Sequence, residues 1–309
     1  MSAIVYTIEN QFIRASVKTT GAELTSFYNK VLEREFLWQP GSEIFPNQAK
    51  NLFPNVGMVN RERVFIRGKE YPAIQHGFVK DEEFRLTEKT DSRLVFEYRS
   101  GAHSSHYMPY HFVFEIIFEI REDALLQTYR VTNLSDQEMY FAVGAHTGFY
   151  CPIALNEAPE DYVLQMDSQE QLTEILRDPV HSLRTGQTKL WPIENEMIPL
   201  SESFFDNGAK IFTGFKKEHI RLLSVRSGLF VDVFFPGFPY CTLWSRRGKL
   251  YYICIEPWCG LPDREDTDHV FEKKEGNVCL QGNGVFTRTQ TFCCGQVDPD
   301  ELQKYEREV

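Results

Sequence analysis

At 309 residues, with 42% hydrophobic and 25% charged side chains, the chain has the composition of an ordinary soluble globular protein with enough length to bury a sizeable core. A net charge of −11 argues against nucleic acid and against an anionic membrane surface as partners. No apolar stretch approaches the ~18 residues that span a bilayer. Residues 1–9 lack the basic segment and apolar core of a signal peptide, so the expected location is the cytoplasm.

In chain order, short runs rich in Phe, Tyr, Val and Ile predict β-strands at 93–98, 111–120, 125–131 and 139–143, with a loop over 132–136. The stretch 168–176 (SQEQLTEIL) predicts two helical turns, and 177–186 reads as a loop. Asp206-Asn207-Gly208 predicts a tight hairpin turn, since Asn-Gly readily supplies positive φ. Strands follow at 220–225, 229–235 and 250–256. Beyond them Asp298 can cap, Pro299 fits a first helical position, and Asp300 and Glu301 favour a helix N-terminus. Residues 298–309 therefore read as a polar surface helix or a frayed tail. Many strands and few helical periods predict an all-β sandwich or barrel. With no repeat and no Pro/Gly/Ser linker, residues 1–297 are expected to form one domain.

Seven cysteines (151, 241, 254, 259, 279, 293 and 294) sit mostly in apolar runs, where thiols behave as small hydrophobes. None has CxxC spacing, and neither a zinc site nor a disulfide framework is expected.

The chemistry centres on Glu256. It lies in 250–260 (LYYICIEPWCG), where one carboxylate is flanked by aliphatic and aromatic residues. A buried carboxylate is costly unless paired, hydrogen-bonded or protonated. Taken alone, the segment fits either a solvated strand end before Pro257 or a functional carboxylate. Two histidines share a setting: Gln75-His76-Gly77-Phe78 and Gly144-Ala145-His146-Thr147-Gly148-Phe149. Each is followed by Gly and Phe, where the backbone can turn and present the imidazole, the side chain that titrates nearest neutrality. His103 and His106 have HxxH spacing but no evident third ligand. There is no GxSxG, no Walker loop and no dinucleotide fingerprint, and Gly282-Asn283-Gly284 does not lead into a helix. What remains is an acid–base set of one carboxylate and one or two imidazoles, with no metal and no cofactor. Trp191, Trp244 and Trp258 could stack on a sugar ring or simply fill the core.

These motifs resemble the aldose 1-epimerase (galactose mutarotase-like) family, and within it the bacterial LacX-like branch. The resemblance runs from about residue 3 to 295. It rests on 51–57 (NLFPNVG), Tyr71-Pro72, Gln75-His76-Gly77-Phe78, 144–149 (GAHTGF), Asp206, Leu243-Trp244-Ser245 and 254–260 (CIEPWCG). It implies a large antiparallel β-sandwich, a supersandwich with few short helices, and a sugar site on one concave face. Position by position it implies Glu256 as general base, His146 as general acid and His76 as the second active-site histidine, with Asp206 on sugar hydroxyls. Met58 stands where many relatives carry Arg, Lys80 where they have the Arg of HGFAR, and Thr147 where they have Pro. Lys80 is thus a candidate for substrate binding, and Arg61 for the missing cation.

The implied activity is interconversion of the α and β anomers of a free hexose, the partner being a small sugar. Two alternatives stand beside it. A hexose 6-phosphate epimerase would need an arginine-rich phosphate pocket, for which Arg61, Arg63, Arg67 and Arg264 are available. The other is a sugar-binding or sensing protein without useful turnover. The sugar and the oligomeric state are not determined by these motifs.

Overall fold

The computed structural model describes residues 3–40, 46–166, 172–191, 193, 196–298 and 300–302. It is an all-β sandwich. A nine-stranded sheet runs in spatial order Met197–Pro199, Tyr162–Gln165, His219–Ser224, Leu229–Phe234, Val285–Gln296, Ala124–Asn133, Phe112–Arg121, Arg93–Arg99 and Arg85–Lys89. A seven-stranded sheet runs Arg184–Trp191, Leu172–Arg177, Lys210–Thr213, Tyr240–Trp244, Tyr252–Cys259, Val143–Tyr150 and Ala49–Leu52. Neighbours in the seven-stranded sheet pair antiparallel throughout. A four-stranded sheet from residues 5–35 and two short strand pairs complete the described structure, with six single-turn 3-10 helices. Among the described residues, no helix is long and apolar enough to cross a membrane.

The strands form where side chains alternate. Ala124–Asn133 buries every second residue, the period-2 signature of a strand with one face on a core. The large sheets meet through aromatic rings: Phe149 of the seven-stranded sheet lies 5.7 Å from Phe292 of the nine-stranded one, and Phe53 stacks on Phe114 at 4.8 Å. Burying such side chains contributes roughly 1.5–3 kcal/mol each. Tyr252–Cys259 breaks the alternation and is buried at all eight positions. Its Ile253, Ile255 and Cys259 enter the main core, and Tyr252, Cys254, Glu256 and Trp258 take the opposite face. That second face is the one on which the site is built.

Several local expectations give way to tertiary pairing. Leu172–Arg177 is a strand rather than helical turns, because it pairs on both edges, with Arg184–Trp191 and Lys210–Thr213. Residues 168–171 of that expectation lie outside the described residues. The loop expected over 177–186 is short, since Arg184 already begins a strand. Asp206-Asn207-Gly208 is a turn, with Gly208 at φ +82°, but not a hairpin turn. It follows the 3-10 turn Glu202–Phe205 and links strands of different sheets, Met197–Pro199 and Lys210–Thr213. At the C-terminus Asp298 Oδ1 accepts the Asp300 N–H at 2.9 Å, and 300–302 are helical. Pro299 and 303–309 lie outside the described residues. Five cysteines are buried and Cys279 is exposed.

Candidate active site

Strand register assembles the site. Glu256 sits opposite Thr242 on one neighbouring strand, and Lys50 sits opposite His146 on another. The pairs Gly144↔Trp258 and Thr147↔Ile255 bracket the join and set His146 across from Glu256. Lys50, His146, Glu256 and Thr242 thus form one row across four strands, each about 4.8 Å from the next. This row floors a cleft of about 410 Å³ whose walls include Trp244, Trp258, Met58 and Pro262.

The floor is tightly specified. His146 Nε2 is 3.4 Å from Glu256 Oε1. Glu256 is 1% exposed, and its Oε2 has no hydrogen-bond partner among the described residues. Trp258 donates its indole N–H to the Ala145 carbonyl at 3.1 Å. Its ring lies where a side chain on Gly144 would sit, so glycine is needed there. The His146 ring packs edge-on to Trp244 at 5.4 Å and to His76 at 5.3 Å.

His76 enters from a loop instead of a strand. Its own φ is +64° and that of Gly77 is +71°, a double left-handed turn that aims the imidazole inward. A Cβ on Gly77 would overlap the Phe53 carbonyl, so only glycine allows the approach. The turn is latched to Gly57: His76 N–H donates to the Gly57 carbonyl at 3.1 Å, and Gly57 N–H donates to His76 Nδ1 at 3.1 Å. Because Nδ1 accepts, neutral His76 carries its proton on Nε2 and presents a donor.

The electrostatics follow from burial. Desolvation pushes Glu256 well above the ordinary carboxylate range, and the Arg177 charge opposes this. Desolvation pushes His146 down to about 4, helped by Lys50. His76 is held well below its usual value by burial, then by His146, Lys80 and Lys50. These opposed shifts favour the uncharged pair, in which Glu256 holds the proton beside a neutral His146. One group is then always able to give a proton and the other to take it.

The expected residues divide. His76, His146, Glu256 and Lys80 all line the cleft. Lys80 reaches it with its ammonium on the Gly77 carbonyl at 2.5 Å and 3.2 Å from Asp81. Arg61 does not line it. It opens a separate surface groove with Arg63 and Glu70, because the chain turns away through φ +58° at Arg61 and +50° at Glu62. Asp206 is exposed and outside the lining, although Gly208 and Ala209 just beyond it form part of the rim. Arg67 lies over Tyr110, and Arg264 is held bidentate by Asp266, so neither supplies a cleft cation. The cations that do line the cleft beside Lys80 are Lys50, Arg177 and Arg247. No local motif marks them: Arg177 falls in a segment with loop-like composition, and Lys50 is visible only through its register with His146.

For a metal, the described residues offer one cluster of three donors, His146, Cys254 and Glu256, whose ligand atoms lie within 4.8 Å of one another. Burial holds the Cys254 thiol well above its ordinary value, with Glu256 adding to the effect, so that donor is protonated near neutrality.

The profile of the aldose 1-epimerase family matches residues 5–262. Protein LacX of Lactococcus lactis subsp. lactis, in plasmid and chromosomal forms, is 30% identical over 274 residues, covering 86% of this chain and 91% of the relative. A galactose mutarotase related enzyme from Lactobacillus acidophilus superposes with a TM-score of 0.90 at 28% identity, covering 96% of this chain and 99% of that one. A galactose mutarotase-like protein from Lactobacillus casei gives 0.88 at 28%, covering 94% and 100%. With the sandwich, the cleft and these likenesses in hand, the chain belongs to the aldose 1-epimerase family.

Proposed function

We propose that this protein is a mutarotase that interconverts the anomers of an aldopyranose by acid–base ring opening and closure. The observation that carries the reading is the Glu256–His146 pair, 3.4 Å apart on the cleft floor with the His76 ring against His146.

Opening a hemiacetal ring requires a proton to leave the anomeric hydroxyl and another to reach the ring oxygen. Glu256 takes the first and His146 gives the second. The aldehyde then rotates about C1–C2, and the reverse transfers close the ring on the other face. Since the groups exchange roles between the half-reactions, a pair holding one proton between them suffices in either direction. Hydroxyls donated to the unpartnered Glu256 Oε2 favour the carboxylate form when a sugar fills the cleft. His76, with its donor on Nε2, is suited to hydrogen-bond the developing carbonyl oxygen. Trp244 and Trp258 offer faces to the C–H side of a pyranose. The substrate is a small sugar, and the reaction needs no redox partner.

The test is polarimetry or NMR exchange on freshly dissolved α-anomers. Wild-type protein should accelerate mutarotation, and Glu256→Gln and His146→Asn should each lower kcat by at least the ~100-fold of a lost acid–base group. Variants as fast as wild type would sink the reading. Unaltered sugar binding with no faster exchange in the wild type would favour the sugar-binding alternative.

A further inference from the structure

The cleft is positively charged within a protein of net charge −11. Lys50, Lys80, Arg177 and Arg247 line it, against Glu256 as the one carboxylate among the described lining residues. A neutral ligand does not call for such a grouping, because like charges brought together repel and lose solvation. Lys80 has Asp81 at 3.2 Å. Lys50, Arg177 and Arg247 have no carboxylate within ion-pair range among the described residues, although Glu256 and Glu174 act on Arg177 from further away.

Arg177 and Arg247 converge. Arg177 Nη2 donates to the Ala209 carbonyl at 2.6 Å, and Arg247 Nη2 donates to the Pro179 carbonyl at 2.9 Å. These bonds fix the two guanidinium groups by backbone and leave most of their N–H donors for something else. Arg177 Nε is buried without a hydrogen-bond partner among the described residues. Between the two groups stands Gly208. A Cβ there would lie 3.3 Å from Arg177 Nη2 and 3.8 Å from Arg247 Nη2, so its absence keeps open a space that both guanidinium groups border. Ser182 also lines the cleft. Arg177 stands at the end of a strand three places along the sheet from Glu256, about 14 Å between strand axes before the long side chain reaches back.

We propose that the cleft takes an aldose bearing an oxyanion remote from C1, a phosphate monoester or a carboxylate, held between Arg177 and Arg247 beside Gly208. Paired guanidinium groups match the planar, multidentate geometry of such oxyanions. Lys50 and Lys80 raise the local concentration of the anion and orient its approach. The inference rests on the proposed mutarotation and narrows its substrate. It also replaces the surface arginines Arg61, Arg63, Arg67 and Arg264 with a different set, contributed by the 177–182 and 206–247 segments.

The experiment compares NMR anomer exchange for glucose, galactose, their 6-phosphates and galacturonate, with wild type and Arg247→Ala. Wild type should show kcat/KM at least ten-fold higher for an anionic sugar than for its neutral parent, and 0.5 M salt should erode that preference. Arg247→Ala should collapse the anionic-to-neutral ratio towards one. Preference for the 6-phosphates identifies a phosphate site, and preference for galacturonate alone a carboxylate site. Neutral sugars turned over as well as or better than both anionic classes would overturn the inference and leave mutarotation standing. If no sugar is turned over, calorimetric titration of the same five sugars into wild type decides: at least ten-fold tighter binding of an anionic sugar supports the oxyanion site, and equal or weaker binding overturns it.

Discussion

Asp263→Asn tests how the cleft wall is held. The Asp263 carboxylate lies 2.7 Å from Lys274 Nζ, with the two side chains 3% and 7% exposed. Its other oxygen accepts the Asn60 N–H at 2.9 Å. Its backbone joins Met58 to Arg184, donating to the Met58 carbonyl and accepting from the Arg184 N–H, each at 2.9 Å. The pair thus pins the segment whose Gly57 N–H latches His76. Asparagine keeps the size and can still accept from Asn60, but strands the ammonium. Removing one partner of a buried pair costs about 3–5 kcal/mol. At roughly 2 °C per kcal/mol for a chain of this size, Tm should fall by about 6–10 °C.

The pH dependence carries its own sign. Burial already lowers Lys274, Asp263 pulls it back up, and the Arg184 charge lowers it further. Without Asp263 the folded state resists the Lys274 proton more strongly, and the unfolded state binds more protons. Stability of the variant should then rise with pH through the alkaline range, and its deficit against wild type should narrow between pH 7 and 10. Adding Lys274→Met removes the stranded charge and should recover part of the loss. Thermal and urea unfolding across that pH range measure all three proteins. A loss below about 1 kcal/mol, or a deficit that does not change with pH, would refute the view that this pair is a buried charge couple.

Three further predictions concern the cleft floor. With a neutral sugar, kcat/KM should hold a plateau through neutral pH and fall on the acid side near His146's value of about 4, where both members of the pair are protonated and no base remains; an acid limb near 6.5 would mean a solvated imidazole. Because the folded carboxyl of Glu256 is raised, the wild type loses stability as pH climbs above the unfolded carboxyl's ~4.3. Glu256→Gln has no such proton to lose, so its Tm relative to wild type should improve from pH 4 to pH 8, and a difference that is flat with pH would contradict the assignment of a dry site. Gly77→Ala should destabilise by more than the ~1–2 kcal/mol of a left-handed residue, because its Cβ also meets the Phe53 carbonyl, and kcat should fall as His76 is displaced. Wild-type Tm and kcat in that variant would remove the argument for the double left-handed turn.

The sequence alone determined the all-β class of the fold, and it singled out Glu256, His146 and His76 as candidates that the structure brings to one cleft. Runs rich in Phe, Tyr, Val and Ile, such as 111–120, punctuated by turn residues, dictate strands. A lone carboxylate within LYYICIEPWCG and two histidines followed within a few residues by Gly and Phe single out candidates, and the family resemblance supplies the roles it implies for them. Tertiary structure decided everything that depends on which strand lies beside which. Leu172–Arg177 has the composition of a helix or loop and becomes a strand only because two neighbours pair with it. Arg61 is near the expected motif in sequence, yet a left-handed turn carries it to another groove. Arg177 and Lys50 have no local signature and arrive through register. Glu256 stands beside His146, and His146 beside Lys50, across long stretches of chain, because antiparallel pairing aligns distant residues by hydrogen-bond register and not by sequence distance.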